Sequence, residues 1–176
     1  MNAPLTIDDI VKRPHINLDH RQMKFAREPY SEKLVQEMRP LWDEHFREIS
    51  MNQDIPLDPD LGAYSRMDKS GVLRIFTARV GAGWESTLVG YNVFIVATNP
   101  HYKGSLQANQ DILFLDPEVR KGLVGYKFLK WCDNELRKEK VQVVYHHIKA
   151  DHNFGAMLER MGYRQTDLIY SKRLDK

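Results

Sequence analysis

Hydrophobic and polar positions follow two periods along this chain. In GVLRIFTARV and WESTLVGYNVFIVATNP they run as extended, strand-like segments, and the GAG between them predicts an antiparallel hairpin. In QDILFLD, Ile112 and Phe114 fall on one face and Leu113 and Leu115 on the other. A strand apolar on both faces sits centrally and is covered on both sides. The other period is helical. After Ser31, a plausible N-cap, come Leu34, Val35, Met38, Leu41, Trp42 and Phe46, with Pro40 expected to kink or split the helix. Residues 123–138 predict a second helix, and HNFGAMLERMGY a short one ending at Gly162. MKFAREPY suggests a first strand around residues 22–27, VQVVYHHIKA another, and RQTDLIYSKRL a final one. PLDPDLGAYSRMDKSG reads as a turn and a short helix, and HYKGSLQANQ as a loop.

The core order is therefore β–β–β–α–β–α–β, an α+β or mixed α/β sheet with a strand–helix–strand crossover in its second half. Residues 1–20, with Pro4 and Pro14, read as a partly ordered arm, and residues 21–176 as one domain. The 26 basic and 24 acidic side chains nearly cancel, so charge alone gives no case for nucleic acid. A single cysteine, Cys132, excludes an intrachain disulfide and fits a reducing cytoplasm. Its place on the second helix reads as buried filler. The N-terminal segment lacks the apolar stretch of a signal peptide, and no run is long enough for a membrane span.

Chemistry concentrates in DPEVRKGLVGYKFLKW, where a strand hands over to a helix. The first amides of a helix lack partners, and the aligned peptide dipoles make that end partly positive. Gly122 and Gly125 allow close backbone approach, and Arg120 and Lys121 add positive charge. The turn suits a pyrophosphate; the plainer alternative is a glycine turn with solvated cations. Neither GxxxxGK[ST] nor GxGxxG is present.

The segment resembles motif A of the GCN5-related N-acetyltransferases, in which a strand and a proline precede (R/Q)xxGx(G/A) at the start of a helix. Pro117, Arg120 and Gly125 match; Leu123 holds the middle glycine position, with the glycine one place earlier at Gly122. Downstream, Asn153, Leu158, Gly162 and Tyr163 fit the family layout, with Leu158 where many members carry a tyrosine acid. The likeness spans roughly residues 22–174, and its glycine variant looks most like the branch often encoded by tailed bacteriophages. The resemblance implies a central mixed sheet, splayed between two adjacent strands, with helices on both faces. It implies acetyl-CoA as co-substrate, its pantetheine arm along Leu113, Phe114 and Leu115, and its pyrophosphate on Arg120, Lys121, Gly122, Leu123, Val124 and Gly125. Asn153 would contact the cofactor as well as cap a helix. The acceptor would be a primary amine of a small molecule or a protein, in the cytoplasm (the host's, for a phage protein), with a homodimer as one possible assembly.

Candidate proton carriers are Asp111 as base, His147 as relay and Tyr170 as acid; each also has a purely structural reading as a strand-end or sheet side chain. His146 and His147 are adjacent on a strand and face opposite sides. His147, Asp151 and His152 are metal-ligand types without a metal-site spacing, so no metal is expected. Trp84, Tyr91, His101 and Tyr102 are candidates to shape the acceptor site, and Lys127 and Lys130 to meet the CoA 3′-phosphate; packing and solvated faces are the alternatives. A rival reading is a catalytically silent protein of this fold that binds acyl-CoA, or a host protein, without turnover.

Overall fold

The computed structural model describes residues 23–81 and 86–175. The N-terminal arm and Trp84 lie outside them. Five strands form one mixed sheet in chain order: β1 (Met23–Glu28), β2 (Leu73–Val80), β3 (Thr87–Asn99), β4 (Tyr102–Leu115) and β5 (Val143–Tyr145). The first four are antiparallel, and β5 joins β4 in parallel. The helices are α1 (Glu32–Ile49), α2 (Leu61–Lys69), α3 (Val124–Lys138) and α4 (Gly155–Arg160). None is long and apolar enough to cross a membrane.

The two faces of β4 divide the core as its alternation predicts. Phe114 and Ile112 pack with Leu34, Met38 and Leu41 of α1. Leu115 and Leu113 pack with Phe128, Cys132 and Leu136 of α3. Ser31 caps α1, its Oγ accepting from the Leu34 amide at 3.1 Å. Pro40 neither splits nor ends that helix. It is exposed, so the carbonyl four residues back, on exposed Gln36, can turn to water.

Two expectations fail. HYKGSLQANQ is not a loop but the first part of the 14-residue strand β4. Its polar side chains are satisfied in place: Gln107 accepts from Asn99 Nδ2 at 2.9 Å and donates to Ser105 Oγ at 3.2 Å. Local polarity gave no sign of this, because partners on β3 and β5 supply it. The final strand, RQTDLIYSKRL, does not form; residues 164–175 join no sheet.

Buried histidines give the fold a pH dependence. His45 on α1 lies 3.1 Å from the Tyr91 hydroxyl, and burial lowers its pKa from 6.5 to about 4. His146, wedged edge-on against Phe94 and Tyr163, is lowered likewise to about 4 by burial, with His147 adding to the effect. Between pH 6.5 and about 4 the unfolded chain binds protons that the folded chain refuses. Stability is therefore full above this window and falls as pH drops through it. The melting temperature should decline from pH 7 to pH 4.5, and His146→Phe should flatten part of that decline.

Candidate active site

β4 and β5 pair only over Gln107↔Val143, Ala108↔Val144 and Asn109↔Tyr145, and then part. The cause is visible one strand away. The β3–β4 register shifts between Val93 and Phe94, leaving Asp111 without a partner in the ladder. Such a bulge bends its strand and increases the local twist. The side chain of Gln110 spans the resulting fork, contacting His146 Nδ1 and donating to the His147 carbonyl at 3.5 Å.

Past the fork, no strand among the described residues pairs with the β5-facing edge of β4. The Asp116 amide donates to the Val89 carbonyl at 2.8 Å, which sets the alternation: Phe114 bonds toward β3, while the backbone groups of Leu113 and the amide of Leu115 turn to the slot, the Leu115 carbonyl being taken by Arg120. The Phe114 ring is buried on the α1 side, so this residue offers the slot neither backbone nor side chain. Gly90 opposite Leu115 permits the close pairing here. A Cβ on it would lie 2.8 Å from the Phe114 carbonyl oxygen.

At the end of β4 the chain turns through a short 3₁₀ segment, Pro117–Val119, and enters α3. Gly122 takes φ +63°, a left-handed conformation that other residues rarely adopt. Leu123 offers no side-chain cap, and the first backbone bond into the helix runs from the Lys127 amide to the Leu123 carbonyl at 2.9 Å. The amides before it are directed at the turn. Lys121 is exposed beside them. Gly125, in the first turn, faces α4, where an added Cβ would meet only the Met157 thioether at 3.9–4.0 Å.

Arg120 is differently placed. Its Nε donates to the Leu115 carbonyl at 2.5 Å, and its two terminal nitrogens donate to the Glu48 carboxylate at 2.5 and 2.6 Å. The guanidinium also lies over the Phe114 ring. Arg120 thus braces the turn against α1 rather than reaching outward. Glu48, its pKa lowered by that bond, also lies 3.7 Å from His152 Nδ1 in the β5–α4 connection. One carboxylate therefore ties together the two loops that flank the slot. Glu48→Gln should lower the melting temperature by a few degrees, because a two-pronged charge-assisted pair becomes a neutral contact. Scanning calorimetry on the variant checks this.

Asp111 is exposed on the α1–α2 side, and Tyr64 of α2 donates to its Oδ2 at 2.5 Å. Burial and this carboxylate push the Tyr64 pKa well up, so the phenol remains a donor. His147 is exposed beyond the end of β5; its neighbour His146 is the histidine held at the fork. Tyr170 lies on the unpaired tail and is almost fully exposed, because the strand expected to carry it is absent. Asn153 Oδ1 accepts from the Gly155 amide at 2.7 Å, serving the start of α4. Leu158 is buried core. Among the described residues no three metal-ligating side chains gather, and His147, Asp151 and His152 are all exposed. Tyr91 is core, while His101 and Tyr102 are exposed. Tyr64 and Glu48 escaped sequence reasoning: each works through a residue far away in the chain, and neither carries a local motif.

No protein-family profile and no curated protein matches the sequence. Solved structures do match. An aminoglycoside acetyltransferase from an uncultured soil metagenome, in complex with sisomicin, superposes with TM-score 0.66 at 15% identity, over 89% of this chain and 99% of that one. The ribosomal-protein-alanine N-acetyltransferase of Brucella melitensis gives 0.62 at 14% identity, over 86% and 99%. A predicted acetyltransferase from Clostridium acetobutylicum, solved with acetyl-CoA, gives 0.58 at 13% identity, over 86% and 96%. The chain has the α+β fold of the GCN5-related N-acetyltransferases, with its splayed mixed sheet. Nothing in these matches supports the bacteriophage branch.

Proposed function

We propose that this protein transfers the acetyl group of acetyl-CoA to a primary amine. One observation carries the reading: the slot between β4 and β5 opens beside an uncapped helix start on a glycine turn. A flat amide-bearing arm fits the first, pairing with the backbone of Leu113 and the amide of Leu115. A pyrophosphate fits the second, on the amides around Leu123, Val124 and Gly125 with Gly122 and Lys121 beside them. Arg120 holds that turn in shape through Glu48. Asn153 borders the site at the start of α4. Neighbours of the same fold include one solved with acetyl-CoA, an aminoglycoside acetyltransferase and a ribosomal-protein-alanine N-acetyltransferase.

Asp111 is the base in this reading. The amine nitrogen attacks the thioester carbonyl, the carbon–sulfur bond breaks, and the electron pair leaves on sulfur. The nitrogen's proton passes to Asp111, directly or through water, while Tyr64 holds the carboxylate in place. An amide of β4 polarises the carbonyl oxygen. The thiolate leaves as such or takes a proton from water, because Leu158 offers none. His147 and Tyr170 are left as outer residues whose replacement by Phe should change turnover little. Residues 21–176 act as one domain, and a lone buried cysteine suits a reducing compartment such as the cytoplasm.

Calorimetric titration with acetyl-CoA and CoA tests the site, followed by amine-dependent release of free thiol. Micromolar binding with turnover supports transfer. Binding without turnover on any amine favours the second reading, a silent acyl-CoA or protein binder, for which the buried Leu158 speaks. No binding of either ligand overturns acetyl transfer and the acyl-CoA binder alike, and leaves the protein binder.

A further inference from the structure

The bulge beside Asp111 seats its carboxylate on the rim of an apolar cleft. Successive residues of a regular strand face opposite sides of the sheet. At the register shift between Val93 and Phe94 that alternation breaks. Asp111 and Ile112 are neighbours in the chain, yet both serve one side: Asp111 meets Tyr64 of α2, and Ile112 packs against α1. Between these helices and the sheet runs a cleft whose walls include Leu34, Met38 and Trp42 of α1, Leu61 of α2, and Val93 and Ile112. Tyr64 is part of the same wall and reaches from it to the Asp111 carboxylate at 2.5 Å.

The walls restrict what can enter. No charged side chain is among them. The Ser31 hydroxyl there is engaged in capping α1, and the Tyr64 hydroxyl in holding Asp111. Trp42 Nε1 is enclosed and makes no hydrogen bond among the described residues, and an indole nitrogen only donates. Asp60 and Asp68 stand outside the walls, accepting from the amides of Ala63 and Tyr30 at 2.8 and 3.3 Å. The cleft therefore supplies no counter-charge. An ammonium group buried there loses its water and gains no opposite charge in return. An alkyl group instead gains about fourfold in affinity for each methylene it buries. The cleft is also tight, about 20 Å³, room for little more than one group the size of a water molecule. A slim arm enters it and a sugar ring does not.

We infer that the acceptor is a primary monoamine with a short, slim aliphatic arm, its nitrogen at Asp111 and its arm in the cleft between α1, α2 and the sheet. The inference rests on the proposed acetyl transfer and names the acceptor class for it. One carboxylate at the rim matches one ammonium, and the apolar walls match the remainder of the molecule.

The full chain with acetyl-CoA is assayed on the straight-chain amines from methylamine to hexylamine, and on putrescine. Pentylamine and putrescine share length and shape and differ in a terminal methyl against a terminal ammonium. Along the series, kcat/KM should climb about fourfold for each methylene that enters and level off once the cleft is full. Pentylamine should exceed putrescine by at least about tenfold. Leu61→Trp, which narrows the cleft from α2, should compress the series. A second readout needs no turnover. With CoA present, the indole N–H resonance of Trp42, assigned by its loss in Trp42→Phe, should shift on adding pentylamine and stay still on adding putrescine.

A flat series, or equal use of putrescine, overturns the inference and leaves acetyl transfer standing. So does a climbing series with a motionless Trp42 resonance, since the arm then lies elsewhere. A Trp42 shift with pentylamine but no turnover on any amine supports the cleft as the site of the arm and overturns the transfer instead. Neither shift nor turnover overturns both.

Discussion

Gly125→Asp should abolish CoA binding, by at least about a hundredfold, while the melting temperature stays level or rises. The two halves of this result have separate causes. In the proposed reading the pyrophosphate sits on the first turn of α3, so a carboxylate there meets its negative charge, and like charges in contact oppose each other strongly. The same carboxylate suits the fold. Glycine within a helix costs about 1 kcal/mol against better helix formers, and an acidic side chain near a helix N-terminus gains roughly 0.3–1 kcal/mol. The added Cβ meets nothing closer than the flexible Met157 side chain at 3.9 Å. Calorimetry and thermal melts on one preparation read both halves. Retained CoA binding would move the phosphate site elsewhere, and a large loss of stability would make the variant uninformative about binding; Gly125→Glu, one methylene longer, then serves as the second variant.

Asp111→Asn should lower turnover by roughly 10²- to 10³-fold and leave acetyl-CoA binding unchanged. The amide is nearly isosteric with the acid and keeps an oxygen for the Tyr64 hydroxyl, so the 2.5 Å contact to α2 survives in kind. It cannot take the amine's proton, and a positioned base is worth about 10²–10⁴ in rate. Tyr64→Phe should cost several-fold only, since it frees the carboxylate without removing it. Steady-state kinetics on both variants, with the amine that gives the best turnover, decide the order. Full activity in Asp111→Asn would assign the proton to bulk water or to another group.

The two variants sit at opposite extremes of legibility. Gly125 stands in a contiguous pattern: an apolar strand, a proline, cations, two glycines, an amphipathic run. Apart from Arg120, the parts of that pattern act within a few residues, so composition and order reveal it. Asp111 was legible as a residue type at the head of a strand, but the role proposed for it depends on the bulge that leaves it out of the ladder and on a phenol 47 residues away. Glu48 and Arg120 lie 72 residues apart, and their pairing turned an expected phosphate ligand into a brace. The ring of His146 rather than that of His147 holds the fork, because Gln110 meets the His146 imidazole but only the backbone carbonyl of His147.

By itself, the sequence determined the periods of its elements, the two apolar faces of β4 and the glycine turn into α3, since side-chain alternation and helix-end chemistry are local. Only the tertiary structure decided where β4 and β5 part, that residues 102–110 continue a strand, and that residues 164–175 do not form one. Strand pairing is a contract between distant segments: a polar stretch joins a sheet when neighbouring strands pair with it, and an apolar stretch that no strand pairs with stays out.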